Sequence, residues 1–243
     1  MSKYINHSIA LLLAVALGSC SNDDDDKNAL TVSGIMDGHE YVDLGLPNGI
    51  CWATYNVGAN SITEYGDFFA WGETTPKDDY SWDSYKFVYS SRNPSDSVLK
   101  KYTLTSVNIL YPFDCKGTLD PEDDAATANW GGRWKMPSQP DMVKLYSNCT
   151  WEWTYSYKNS GTSGYIGTSK INGNQIFLPA AGHTNGKRVD LYAEEASFFT
   201  STLSGNDKNA LFALFNKDSS GDFSKNTSKR HLGRQIRPVF QRE

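Results

Sequence analysis

The chain predicts an α+β fold in which short strands outnumber two short helices, on three observations: its composition, two helix-start signals and a turn signal between apolar runs. Tyr, Trp, Phe, Gly, Ser, Thr and Asn are abundant, and aromatic residues alone make up 13% of the 243 positions. Aromatic side chains suit a pleated, half-buried surface and the small polar residues suit turns, so long helices are not expected.

In chain order, strands are expected at Glu40 to Leu44, Cys51 to Val57, Asp67 to Gly72, Trp151 to Tyr157, Gln175 to Pro179, Ser197 to Leu203, Asn209 to Asn216 and Gln235 to Phe240. The first helix is expected where Asp120 caps and Pro121 takes the first helical position. Glu122, Asp123 and Asp124 then complement the positive end of the helix dipole before Ala125, Ala126 and Ala128, and Gly131 ends it. The second starts at Ser138 with Asp141 as its capping-box partner, Pro140 harmless in the first turn, and Met142, Leu145 and Tyr146 turned to the core. Asn185-Gly186, between Ala180-Ala181 and the run Val189 to Tyr192, marks a hairpin because both residues tolerate positive φ. No solenoid or propeller period is visible.

A targeting segment precedes these elements. Lys3, nine apolar residues from Ile9 to Leu17, then Gly18, Ser19 and Cys20 follow the order of a secretory signal. Nine residues fall far short of the roughly 20 that span a bilayer as a helix. Leu17-Gly18-Ser19-Cys20 resembles the lipobox of bacterial lipoproteins, which implies cleavage after residue 19 and a lipid anchor on Cys20. An ordinary signal peptide with an unmodified cysteine is the plainer reading. Asp23 to Asp26 form an acidic block that repels itself and stays solvated. Residues 20–33 therefore read as a tether, and 34–243 as one domain that no linker-like stretch divides. The acidic block behind the cysteine is similar to the signal that sends lipoproteins of the Bacteroidetes group to the outer face of the outer membrane; the alternative is a flexible linker facing the periplasm.

Net charge is -5, and basic residues gather only near the end, at Lys225, Lys229, Arg230, Arg234, Arg237 and Arg242, without forming a basic helix. Nucleic acid is therefore not an expected partner. Cys51, Cys115 and Cys149 lack metal-binding spacing. Their odd number leaves at least one thiol unpaired within the chain, and the sequence does not choose a pairing.

Six segments, taken in order, resemble the Fibrobacter succinogenes major paralogous domain family: YVDLGLPNGICWATYNVGA (41–59), EYGDFFAWGETTP (64–76), LDPEDDAATANWGGRWKMPS (119–138), NCTWEW (148–153), IFLPAAGH (176–183) and IRPVF (236–240). That family in turn resembles C-type-lectin-like folds and the formylglycine-generating-enzyme group. The resemblance implies a C-type-lectin-like fold with twisted antiparallel sheets, two short helices and long irregular loops. Such a fold hosts several functions, so function must come from the site. Within WGGRWKMP, Trp130 and Trp134 read as core fillers and Gly131-Gly132 as a tight turn.

Formylglycine-generating enzymes depend on a late cysteine pair, and this chain has no cysteine after Cys149. HExxH, GxSxG and Walker motifs are absent, and His7, His39, His183 and His231 are scattered. No catalytic residue and no cofactor are expected. Asp120, Glu122, Asp123 and Asp124 offer hard oxygen ligands of the kind calcium takes, but without EF-hand spacing. Helix capping accounts for them, so no metal is expected.

Two aromatic sets remain. Trp151, Trp153, Tyr155 and Tyr157 recur at every second residue, which in a strand puts all four rings on one face, either core or platform. Tyr80, Trp82, Tyr85, Phe87 and Tyr89 stand among Asp78, Asp79, Asp83, Ser84 and Lys86 after the Thr75-Pro76 break. That mixture suits either a sugar-binding surface or an aromatic flap packed on the body. Asp96-Ser97-Val98 resembles the short O-glycosylation acceptor pattern of the same bacterial group. The expected function is a non-catalytic surface lipoprotein, held to the membrane by its lipid, whose domain binds a glycan or glycoprotein through Tyr80, Trp82, Tyr85 and Phe87. The alternatives are a structural lipoprotein with a protein partner and an exported enzyme on the related scaffold.

Overall fold

The computed structural model describes residues 32–90, 98–104, 114–216 and 226–242. The signal segment, Cys20, the acidic run and Ser97 lie outside the described residues. In chain order the strands are β1 (Gly34–Met36), β2 (His39–Val42), β3 (Ile50–Ala53), β4 (Val88–Ser90), β5 (Val98–Leu99), β6 (Cys149–Thr154), β7 (Gly164–Ser169), β8 (Gln175–Pro179), β9 (His183–Asn185), β10 (Arg188–Asp190), β11 (Glu195–Leu203), β12 (Asn209–Asn216), β13 (Thr227–Lys229) and β14 (Val239–Gln241). The helices are α1 (Ala125–Trp130) and α2 (Gln139–Asn148).

These strands build small antiparallel sheets in the orders β1-β2-β3-β14, β6-β7-β8 and β11-β12-β13, with the pairs β9-β10 and β4-β5. The first sheet joins the two ends of the fold, because β14 lies beside β3 with Phe240 opposite Cys51. The fold class is therefore α+β as expected, with mostly antiparallel sheets, two α-helices and no barrel among the described residues. No helix among those residues is long and apolar enough to cross a membrane.

Helix α2 forms where its start signal placed it. Asp141 Oδ2 accepts from Ser138 N at 2.9 Å and from Ser138 Oγ at 2.6 Å, so the N–H and hydroxyl of the cap residue are both met. Its buried face, Met142 and Leu145, joins Trp52, Ile176, Leu178, Phe198, Phe215 and Val239 in one core cluster, which ties the helix to all three larger sheets. Helix α1 begins later than its proline suggested. Pro121–Asp123 winds as a 3-10 turn, and Asp124 is the cap, accepting from Thr127 N at 2.9 Å. Gly131 ends the helix at φ +67, as expected.

Several expected strands are cut short: the one expected from Cys51 to Val57 ends at Ala53, and of the one from Gln235 to Phe240 only Val239 and Phe240 lie in a strand. Around Asp67 to Gly72 only Phe69 is bridged, to Arg234, between the positive-φ turns of Gly66 and Gly72. Strand β6 stops at Thr154, and a 3-10 turn with Lys158 at φ +48 follows. The hairpin is present one residue along from its predicted turn: Asn185 pairs with Arg188, and Gly186-Lys187 make the bend with Gly186 at φ +60.

Candidate functional site

Tyr80, Trp82, Tyr85 and Phe87 face inward, none more than 6% exposed, so they do not form the ligand surface that the sequence suggested. Tyr80 Oη donates to Phe68 O at 2.5 Å and Tyr85 Oη donates to Trp71 O at 2.6 Å, which spares both hydroxyls the cost of burial. The Trp82 ring leans on His231 at 4.6 Å, and burial holds that imidazole below its ordinary pKa. The polar-aromatic composition does build a cation cage, but its occupant is the chain's own Arg230. The guanidinium carbon lies 4.8 Å from the Trp71 ring centre, 5.4 Å from Tyr85, and 5.7 Å from both Phe87 and Tyr102.

The acidic group near α1 is occupied in a similar way. Asp120, Glu122 and Asp123 bring their oxygens within 4.8 Å of one another, close enough to hold a metal ion. Lys101 Nζ sits among them, 2.7 Å from Asp120, 3.2 Å from Glu122 and 2.5 Å from Asp123. Lys86 reaches Asp123 at 2.6 Å and Lys116 reaches Asp120 at 2.7 Å. Burial alone would raise the Asp123 carboxyl, but hydrogen bonds from Lys101, Lys86 and Tyr102 hold it below the usual carboxylate range. Ammonium groups thus neutralise the acids, and capping falls to Asp124 rather than to Asp120.

The alternating stripe does not stay on one face. Trp151 and Trp153 are half-buried against the core, Tyr155 is 77% exposed, and Tyr157 turns inward to stack on Phe177 at 4.1 Å. The change of direction follows from the end of β6 at Thr154, beyond which the two-residue period no longer applies.

Three loops that the sequence did not single out together converge beside that point. Thr162 Oγ1 donates to Thr63 O at 2.8 Å, Ser163 Oγ donates to Ala193 O at 3.2 Å, and the Tyr65 and Tyr192 rings meet at 5.2 Å. Four of the seven non-glycine residues with positive φ among the described residues lie here: Lys158, Asn159, Leu191 and Ala193. Asn adopts that conformation readily, whereas for Lys, Leu and Ala it costs energy that the surroundings must supply. The same loops expose Tyr155, Val189, Leu191 and Tyr192. Polar groups flank them. Arg188 Nε lies 2.6 Å from Asp190, and beneath the hairpin Glu195 holds Arg234 Nη1 at 2.9 Å. His183 Nδ1 lies 3.3 Å from the same Glu195 oxygen, within ion-pair reach but poorly aligned for a hydrogen bond. Against the effect of burial, His183 and Arg234 hold the Glu195 carboxyl at about 2.

An open cavity of about 450 Å³ lies elsewhere, under the GGRWKMPS turn, with Leu119, Asp124, Thr127, Lys135 and Asp141 among its walls. Its two carboxylates are engaged with backbone N–H groups, Asp124 with Thr127 and Met136 and Asp141 with Ser138. Cys51, Cys115 and Cys149 are all unpaired; burial pushes the Cys51 thiol up to about 11 and the Cys149 thiol up to about 12, so both stay protonated at neutral pH. No protein-family model, curated protein or solved structure matches the chain. The family resemblance therefore rests on the six sequence segments themselves.

Proposed function

We propose that the chain is a non-catalytic surface lipoprotein, anchored through Cys20, whose C-type-lectin-like domain of the major paralogous type recognises a glycan or glycoprotein with its three-loop end. The observation that carries this reading is the coincidence, on one pair of loops, of strained backbone at Lys158, Leu191 and Ala193 with exposed Tyr155, Leu191 and Tyr192. Strain of that kind persists where the surroundings fix a shape, and exposed rings beside carboxylates give flat apolar faces for sugar CH groups and acceptors for hydroxyls. The protonated thiols of Cys51 and Cys149 support recognition without a thiolate nucleophile. Val189 and Leu191 are aliphatic and also exposed, which favours a protein surface as the second reading.

A glycan array probed with the full-length protein in detergent tests the proposal. Binding should appear with the wild type and fall at least tenfold in Tyr192→Ala, which should still unfold cooperatively and melt only slightly earlier, because the ring is 58% exposed and loses only its contact with Tyr65. A blank array, or retention unchanged by Tyr192→Ala, rejects the glycan surface. Metabolic labelling with a fatty-acid probe tests the anchor on Cys20, and protease shaving of intact cells tests which side of the membrane carries the domain.

A further inference from the structure

Arg237 is fully buried and is paired with neutral groups alone. Its Nε donates to Asn56 Oδ1 at 2.7 Å and its Nη1 to Ala53 O and Thr54 O, while Nη2 has no partner. No ionic group among the described residues offsets its desolvation, which lowers the guanidinium to about 9. Two residues back on the same extended segment, Gln235 is also fully buried, with neither amide atom bonded. Residues two apart on extended chain share a face; the backbone of Gln235 bridges to that of Phe198 on β11, and the Phe198 ring centre lies 6.0 Å from the Arg237 guanidinium. Two residues onward on that face stands Val239, paired across the sheet with Trp52, whose buried Nε1 is likewise unpartnered.

The count of donors and acceptors decides what would satisfy them. Arg237 Nη2 and Gln235 Nε2 each offer two N–H groups and Trp52 offers one, whereas Gln235 Oε1 is the one unpartnered acceptor on these three side chains. Water brings donors as well as acceptors and would leave this excess of donors unmet, and the positive charge would keep no counter-charge. A buried cation and a set of unmet donors are both costly, and a small anion relieves both. We propose that Arg237, Gln235 and Trp52 hold one monovalent anion of the halide class, bound as a structural ion in the core between β3, β11 and the C-terminal segment.

Bromide is the probe. Crystals of the full-length protein grown in sodium bromide should show an anomalous peak within hydrogen-bond reach of Arg237 Nη2 and Gln235 Nε2. Water there without anomalous signal, or bromide at surface positions alone, overturns the site. In solution, the melting temperature should rise with the logarithm of bromide concentration against sodium gluconate of equal ionic strength, as a ligand of the folded state requires. Gln235→Leu, similar in volume, should flatten that dependence; a dependence that survives in the variant places the halide elsewhere and overturns the proposal. Should Gln235→Leu fail to fold, the bromide density in the wild type decides alone.

Discussion

Arg230 Nε donates to Tyr85 Oη at 2.9 Å, across 145 residues of sequence, and so ties the last strands of the chain to its aromatic segment. The same guanidinium reaches Lys101 O, Tyr102 O and Asp207 O at 3.0–3.1 Å. A single side chain thus satisfies four acceptors from three parts of the chain, and the cage of rings takes up its charge. Tyr85→Phe removes the hydroxyl that bridges Arg230 and Trp71 O. A hydrogen bond to a charged group contributes about 1.5–3 kcal/mol, and a loss of that size is expected in urea unfolding. Arg230→Lys should cost more, because an ammonium cannot present a planar fork to four separated acceptors. A lysine variant as stable as the wild type would mean that the charge alone matters.

Acid should weaken the fold through Glu195. The unfolded carboxyl titrates near 4.5 and the folded one at about 2, so the unfolded chain takes up the proton first as pH falls. The stabilisation is complete above about pH 4.5 and is lost between there and about pH 2, with an upper bound of about 3 kcal/mol. Burial of Arg234, whose guanidinium is pushed down to about 10, offsets part of it. Glu195→Gln should be less stable at pH 7 and show a shallower acid limb. Parallel acid limbs for the two proteins would assign the acid sensitivity to other carboxylates, Asp123 foremost.

What the sequence made legible was local. The cap and buried face of α2, the bounds of β8 and β12, and the end of α1 at Gly131 depend on neighbours a few residues away. What it concealed depends on distant partners. Strand β7 is not among the expected strands, yet it lies between β6 and β8, and its Gly167 leaves room for a ring from the strand beside it. The orientation of Tyr85 and Phe87 could not be read because Arg230, the group they help to enclose, stands about 145 residues away from Tyr85 among other basic residues with nothing local to distinguish it. Asp120 and Asp124 are both acids ahead of a helix; that a 3-10 turn separates them follows from Lys101 and Tyr102 drawing Asp123 inward. The three-loop end was invisible for the same reason, since its residues come from three separate stretches.

The capping box of α2 permits a ranking. Asp141 accepts from Ser138 N and Ser138 Oγ and also from Asn48 Nδ2 at 2.8 Å, whereas Ser138 Oγ takes Asp141 N at a long 3.4 Å. Asp141→Ala should therefore cost about 1–2 kcal/mol and Ser138→Ala closer to 0.5 kcal/mol, the lower end for a lost cap. Chemical denaturation of the two variants checks the order, and the reverse order would mean that the serine contact is tighter than its length indicates.

Gly167 and Trp151 should be coupled in stability. They face each other across β6 and β7, and a Cβ added at Gly167 would lie 2.6 Å from Trp151 Cη2, with a second ring atom nearer still. The backbone of Gly167 is not in the left-handed region, so Gly167→Ala carries no conformational penalty and its whole cost is steric. The ring would have to tilt away from Phe215, on which it packs at 4.6 Å, and overpacking of this kind costs about 1–3 kcal/mol. In a Trp151→Ala background the obstacle is gone, and Gly→Ala in a strand then favours folding by about 0.5–1 kcal/mol through the unfolded chain's lost freedom. The sign of the substitution should thus reverse between the two backgrounds in urea unfolding. Equal effects in both would show that the glycine serves the backbone of β7 and not the tryptophan above it.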